Sequence, residues 1–590
     1  MKSIDSLLNE VLQFDNQPFY KLQKLKGREC KFKNFILRIL RIQGSPGAYP
    51  ASIFEVEVPY KESGFPLEYL VPECKKIGLE DFITRQFKEG IDKFAKQNRG
   101  ADGSGSIWTI SIGQKILKRN NVIITPERIK VRFIFSFPSK KKNAGILDAQ
   151  QTVEMLNNEI PNIVNFSLFF ANYDERTKDN LDRQIETSAA QEAIRDYLKK
   201  HNLIVFIADG SVLPRASGVD DRPLESNSVI PFKAPDSMSV TIETNTSLGK
   251  ITGMAIKEGV TVITGGGFHG KSTLLSAIAH GVFNHIPGDG REFVITRDDA
   301  VLIRAEDGRS IKCVDISPFI KCLPYKKSTT NFSTNNASGS TSQAANMIEF
   351  YQAGSRLFLF DEDTCATNFM LRDELAKKII TDEKEPIRPF YNVIRTLWEK
   401  YKISSILVIG GLGAFFKKAD NIISLYNYKV EDITHKVREK LGTDFDSDED
   451  IVLPRPNNRF IEKENFNPAF IHKIKNKRVN IRIKPLRENW KRIEYGMDKI
   501  ILDSLVHLVE EPQSLAVGFI ILLIKKIMDC ESNFELTHLV NKACSFIKEK
   551  GLDILEYEYK GLLSMPRKYE IIAAINRMQS LKVNCNKSLK

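Results

Sequence analysis

The sequence predicts an α/β fold: a phosphate-binding core, an α+β domain before it and a small, mainly helical domain after it. Three stretches predict the core. The first runs GVTVIT (Gly259–Thr264), GGGFHGKS (265–272) and TLLSAIAHGVF (Thr273–Phe283). A β-branched run, a glycine loop and apolar residues at helical spacing form the strand–loop–helix context in which G-x-x-x-x-G-K-[ST] cradles phosphate. Glycine lets successive backbone N–H groups face phosphate oxygens, and the helix N-terminus adds partial positive charge. The candidate nucleotide-binding residues are therefore Gly265, Gly266, Gly267, Phe268, His269, Gly270, Lys271, Ser272 and Thr273. Lys271 is suited to neutralise the outer phosphates and Ser272 to hold Mg²⁺. The second stretch, RLFLFDE (Arg356–Glu362), reads as a buried strand ending in two carboxylates. Asp361 is placed to hold Mg²⁺ through water, and Glu362 to polarise an attacking water. The third, NASGSTSQAA (Asn336–Ala345), sets Ser338, Gly339 and Ser340 at a helix N-terminus, a second anion site without a lysine. The set calls for ATP and Mg²⁺.

The 590 residues are enough for several domains. Residues 1–160 carry strand-like runs at Phe35–Ile42, Ile53–Val58, Ile107–Ile112, Val122–Ile124 and Lys130–Phe137, punctuated by the Gly/Ser turn Arg99–Ser106. Their N-terminal segment, MKSIDSLLNEVLQFD, is amphipathic with early acids and reads as a surface or partner helix rather than a leader. Residues 161–445 hold the core motifs, preceded by a helix over Asn180–His201 and a strand over Leu203–Ala208. Residues 446–470 are acidic, then rich in Pro and Asn, and read as a linker. Residues 471–575 form the C-terminal domain, basic at its start. Its apolar run LAVGFIILLI (Leu515–Ile524) is too short to cross a bilayer and reads as a buried helix, so no membrane span is expected.

Eight scattered cysteines without C-x-x-C or zinc spacing read as reduced, intracellular thiols, cytoplasmic or nuclear, with organelles not excluded. Cys365, beside the carboxylates, reads as structural. The net charge of +12 favours a polyanionic partner. The charge is concentrated: Lys473–Arg492 carries nine Lys/Arg and one acid. The alternation Ile481-Arg482-Ile483-Lys484 gives a strand one apolar and one basic face. Lys475, Lys477, Arg482 and Lys484 are thus candidates to track a nucleic-acid backbone, with Trp490 and Phe470 nearby to stack bases. Lys118-Arg119 and Lys140–Lys142 add basic turns. A solvated basic face is the plain alternative.

The loop at Ser338 resembles the signature loop of ABC-type ATPases, L-S-G-G-Q, and its 23-residue distance to Asp361 fits one helix, a turn and a strand. DEDTCATNFM (Asp361–Met370) resembles their D-E-P-T-S-A-L-D segment, with Asp363 for the proline and Asn368 for the last aspartate. GGGFHGKSTLL, IRAEDGRS, VDISPFI, NASGSTSQAANMIE and EKEPIRPF, with QGSPGAYPAS and LVHLVEEPQSLAVG outside the core, are similar to the "predicted ATPases of the ABC class". That group includes an ATPase of a kinetoplastid mitochondrial RNA-binding complex. The resemblance covers roughly residues 20–570. It implies Mg²⁺-dependent ATP hydrolysis in a head-to-tail homodimer, the signature loop completing the partner's site, Asn368 at the dimer contact, and action on RNA or another nucleic acid. One departure affects mechanism. The strand Ser404–Gly411 ends in Gly410-Gly411, where ABC transporters carry a histidine; His269 and His435 lie elsewhere. A nucleotide-dependent scaffold with little turnover is therefore the alternative; a small-molecule kinase is disfavoured by Glu362 and the signature-like loop. Asp315 and Ser317 are candidates for the loop that contacts Mg²⁺.

If the basic segment binds a phosphate backbone, replacing Lys475, Lys477, Arg482 and Lys484 by Ser lowers RNA affinity and flattens its salt dependence, because fewer counterions are released. Fluorescence anisotropy across a salt series checks this. Equal affinity and slope would make the segment a solvated face.

Overall fold

The computed structural model describes the chain apart from residues 1, 46–50, 98, 101–103, 141–142, 227, 325–326, 374–378, 380–383, 443, 457–458, 467, 472–478, 482, 487, 556–559 and 585–590. The chain divides into two compact units, one of residues 1–189 with 550–565, the other of 190–549 with 566–590.

The first unit is a mainly antiparallel sheet with helices on one face; the short strand Lys2–Ser3 joins it parallel to Glu29–Lys31. Glu29–Lys31, Ile36–Arg41, Ser52–Pro59 and Arg128–Phe135 pair in that order. The alternation in Glu55-Val56-Glu57-Val58 separates the two faces. Phe54, Val56, Phe133 and Phe135 join a core with Leu79, Ile83 and Phe87 of the helix Glu73–Phe94 and Ile163 and Val164 of Ile160–Ser167. The other face is a ladder of ion pairs. Arg38 bridges Glu29 and Glu57, Arg128 binds Glu57, and Arg132 binds Glu55 at 2.8 Å. The expected strand Ile107–Ile112 is only two residues long, Ile107–Trp108. The N-terminal segment is a helix, Ile4–Leu12, with Leu7 and Val11 buried in the same core.

Residues 550–565 fold with this unit although they lie far along the chain. Asp553 accepts from both terminal nitrogens of Arg132, at 2.6 and 2.7 Å, and from Asn120.

The second unit is built on a six-stranded sheet in the order Ala300–Ile303, Leu357–Asp361, Ser404–Val408, Val260–Thr264, Asn421–Tyr426, Lys429–Asp432. The first five run parallel and the last is an antiparallel edge. Leu357–Phe360 and Val260–Ile263 are buried throughout, as expected of parallel strands covered on both faces. The helices Lys271–His280 and Gly339–Gln352 belong to this layer. A four-stranded antiparallel sheet pairs Ser239–Glu243, Lys250–Lys257, Leu203–Ala208 and Val294–Thr296.

The last described stretch combines a small antiparallel sheet, Ile483–Pro485, Arg492–Tyr495 and Asp498–Ile501, with the helices Glu511–Met528, Leu536–Lys550 and Lys568–Asn576. LAVGFIILLI lies inside the first of these helices, buried against that sheet. Gly518 permits the approach: a Cβ there would stand 2.4 Å from Ile483 Cγ2. Among the described residues, no helix is long and apolar enough to cross a membrane.

The stretch read as a linker begins docked. Asp448 accepts from the N–H groups of Arg395 and Thr396 at the start of the helix Ile394–Tyr401, and also binds the buried Lys418. Glu449 pairs with Arg388 at 2.7 Å. The reading of every cysteine as a thiol fails at Cys313, which is disulfide-bonded; Cys30, Cys74, Cys322, Cys365, Cys530 and Cys544 are free.

The Arg132–Asp553 pair generates a stability prediction. Asp553→Ala leaves a buried guanidinium with Glu55 as its remaining carboxylate. Breaking a fully buried pair costs about 3–5 kcal/mol; Asp553 is 27% exposed, which lowers the expectation to about 2 kcal/mol. Denaturant unfolding of the full chain checks this, and a loss near zero would show that residues 550–565 add nothing to the first unit.

Candidate functional site

Parallel α/β sheets open their crevices beyond the carboxyl ends of the strands, and the site forms there. Val408 pairs with Ile263 on one side and with Asp361 on the other. The glycine loop, the two carboxylates and the Gly410-Gly411 turn therefore leave the sheet at one edge. They line a cleft of about 670 Å³, within the range of small-ligand sites.

The loop's glycines answer to close neighbours. Gly265 has φ +139°, and a Cβ there would lie 2.3 Å from the Leu425 carbonyl oxygen. Gly270, at φ +97°, caps the helix Lys271–His280. Phe268 is fully exposed at φ +63°. Lys271 Nζ donates to the carbonyls of Gly265 and Gly266 at 2.8 and 2.7 Å. All the candidate loop residues line the cleft except His269. Its Nδ1 accepts from the Asn427 N–H at 3.1 Å and its ring lies 5.1 Å from that of Tyr426. His269 thus ties the loop to the hairpin Asn421–Asp432.

Asp361 and Glu362 both face the cleft. Asp361 accepts from the Ser272 hydroxyl; burial, joined by the Asp363 carboxylate, holds it above the usual carboxylate range. A half-buried carboxylate beside a hydroxyl, both hard oxygen donors, suits a small divalent cation. Glu362 Oε2 accepts from the N–H groups of Gly410 at 2.6 Å and Gly411 at 3.3 Å. Burial and Asp361 push the Cys365 thiol up to about 12, so it stays protonated and is no nucleophile near neutral pH.

The structure does not bring every candidate to this cleft. Ser338 is the N-cap residue of Gly339–Gln352, and Ser340 Oγ donates to Asn368 Oδ1 at 2.9 Å. Ser338, Gly339, Ser340 and Asn368 form a cluster of their own, outside the cleft lining. Asp315 and Ser317 hydrogen-bond each other at 2.6 Å and do not line it either. Lys475, Lys477 and Arg482 lie outside the described residues. Lys484 is half exposed, 3.8 Å from Glu494. The basic turn at Lys118-Arg119 needs correction: Arg119 is buried against Asp81 at 2.6 Å and Lys118 binds Glu73, so a polyanion finds little there. Sequence reasoning missed Tyr428, which lines the cleft and covers Gly270: a Cβ on that glycine would come within 2.8 Å of the ring. The signal available was the Tyr-Asn-Tyr hairpin tip, but nothing local told that it returns to the loop.

With this geometry in place, comparisons identify the relatives. Residues 4–171 match the model of the N-terminal domain of ATPases of the ABC class, residues 177–452 that of the ABC ATPase P-loop domain, and residues 486–584 that of the MRB1590 C-terminal domain. An uncharacterised protein of Methanocaldococcus jannaschii is 33% identical over 265 residues, 43% of this chain and 57% of that relative's length. Among solved structures, the ADP conformation of an ATP-binding cassette of an ABC transporter is 12% identical over 40% of this chain and 94% of that one, with a TM-score of 0.23. Part of an ABC transporter complex from Clostridium perfringens is 12% identical over 41% and 92%, with a TM-score of 0.25. The three domain matches, in that order along one chain, complete the assignment: the chain belongs to the ABC-class ATPase family.

Proposed function

We propose that this chain is a Mg²⁺-dependent ATPase that closes as an ATP-sandwich homodimer and acts on RNA or another nucleic acid. One observation carries the hydrolytic part: Lys271, Ser272, Asp361 and Glu362 meet in a single cleft. The loop's N–H groups and Lys271 bind the phosphates. Ser272 and Asp361 would hold Mg²⁺, which neutralises phosphate charge. Glu362 takes a proton from the attacking water, the water oxygen bonds to Pγ, and the Pγ–O bond to the leaving ADP breaks, giving phosphate and ADP.

The dimer is supported by what the cleft lacks. The N-terminus of Gly339–Gln352 is suited to an anion, yet Ser338, Gly339 and Ser340 do not line the cleft of their own chain. A second copy, head to tail, brings them to it. The nucleic-acid partner rests on the basic segment and on the resemblance to an ATPase of an RNA-binding complex. The scaffold alternative keeps one observation: Glu362 is held by two backbone amides and no histidine stands at the end of Ser404–Val408.

Two variants test the reading. Lys271→Ala removes the charge facing the outer phosphates, and ATP affinity falls at least tenfold, about 1.4 kcal/mol or more; unchanged binding by calorimetry would end the assignment of the loop. Glu362→Gln keeps shape but loses the base. Nucleotide binding persists, phosphate release stops and the dimer accumulates on size exclusion with ATP. Full turnover in this variant would place the base elsewhere.

A further inference from the structure

The Gly410-Gly411 turn follows the strand Ser404–Val408, and it is not an idle connection. Its two N–H groups converge on one oxygen, Glu362 Oε2, at 2.6 and 3.3 Å. Successive backbone donors aimed at one point form an anion site. Gly410 lines the same cleft as the glycine loop and Lys271.

A second observation bears on why both positions are glycine. Neither has a positive φ, so the backbone conformation does not demand it. An added Cβ would meet no protein atom closer than 3.9 Å, and that atom is a Glu362 carboxylate oxygen in each case. The space that glycine keeps open therefore borders Glu362 on the cleft side. Among the described residues, none fills it. A side chain there would crowd whatever else approaches the two amides.

A third observation is the pairing of charges. Lys271, the cleft's cation, is satisfied by two loop carbonyls, and the amide pair is satisfied by a carboxylate. Both of these groups, each suited to a phosphate, are matched by groups of the chain itself.

We propose that the Gly410 and Gly411 amides are the binding site for the terminal phosphate of a nucleoside triphosphate, and that the Glu362 carboxylate competes for it. This rests on the nucleotide reading of the cleft and extends it. Two anions do not share one pair of donors. A triphosphate places its outermost phosphoryl group on the amides, where its greater charge accepts the stronger hydrogen bonds. Glu362 is displaced from them and becomes free to take a proton from water. A diphosphate does not reach the amides, and Glu362 stays on them. The base is thus released only when there is a phosphoryl group to transfer. The turn performs the discrimination without an imidazole.

The test compares equilibrium affinities of the full chain for Mg-ATP and Mg-ADP by calorimetry. It uses wild type, Gly410→Pro, which removes the shorter donor, Glu362→Ala, which removes the competitor, and the double variant. Gly410→Pro lowers ATP affinity by about tenfold, the worth of a hydrogen bond to a charged group, with ADP affinity unchanged. Glu362→Ala raises the ATP-to-ADP affinity ratio, and that gain vanishes in the double variant. An equal gain with and without the Gly410 N–H would reduce the effect to charge repulsion and overturn the proposal. Should Gly410→Pro fail to fold, Glu362→Gln decides: its side-chain oxygen still caps the amides, so its gain must fall below that of Glu362→Ala, and equal gains overturn the proposal. Failure of the nucleotide reading looks different, because wild type would then bind neither ATP nor ADP.

Discussion

The cleft exists because Val408 is paired on both sides at once. Its register with Ile263 aligns the strand that feeds the glycine loop, and its register with Asp361 aligns the strand that ends in carboxylates. A slip of one residue along either pairing would turn every side chain of that strand to the opposite face and move the carboxylates along the sheet by about 3.3 Å. The register is secured by burial. Val262, Ile263, Leu359, Phe360, Ile406 and Leu407 are all fully buried, and each such side chain contributes about 2 kcal/mol that a slip would disrupt. Lys271, Ser272, Asp361 and Glu362 inherit their mutual positions from that packing.

The helix that begins at Gly339 is held by a different interaction, a buried polar network. Arg309 binds Asn346 and Glu349, and Arg577 binds Glu306. Burial alone would raise Glu306, but Arg577 and Arg309 hold it down at about 2. Its charge therefore persists across the physiological range, with a guanidinium always opposite. Arg577 and Arg459, which lies near Glu349, come from the C-terminal part of the chain. The placement of the Ser338 cluster depends on residues more than a hundred positions downstream of it.

Charge also organises the periphery. The acidic run after residue 445 caps the helix Ile394–Tyr401 through Asp448 and surrounds the buried Lys418. Acidic side chains at a helix N-terminus meet unpaired N–H groups and the positive end of the helix dipole. Composition alone marked the run as a linker, whereas its partners include Arg388, 61 residues before Glu449.

The sequence by itself determined most of the residues that line the cleft. GGGFHGKS and the carboxylate pair after LFLF are local patterns, set by backbone geometry within a few residues, so strand, loop and helix were legible in the sequence. The buried strands Leu203–Ala208 and Leu357–Asp361 and the helix through Leu515–Ile524 were legible as well, because an uninterrupted apolar run records burial on both faces. Tertiary structure decided what depends on distant partners. It placed Arg119 against Asp81, His269 on the hairpin at Asn427, Tyr428 over Gly270, the 550–565 segment on Arg132, and the Gly410-Gly411 amides on Glu362. Each of these is a contact between residues remote in sequence, held by hydrogen-bond direction, burial of a charge or close packing on a glycine, and none of these leaves a periodic mark along the chain.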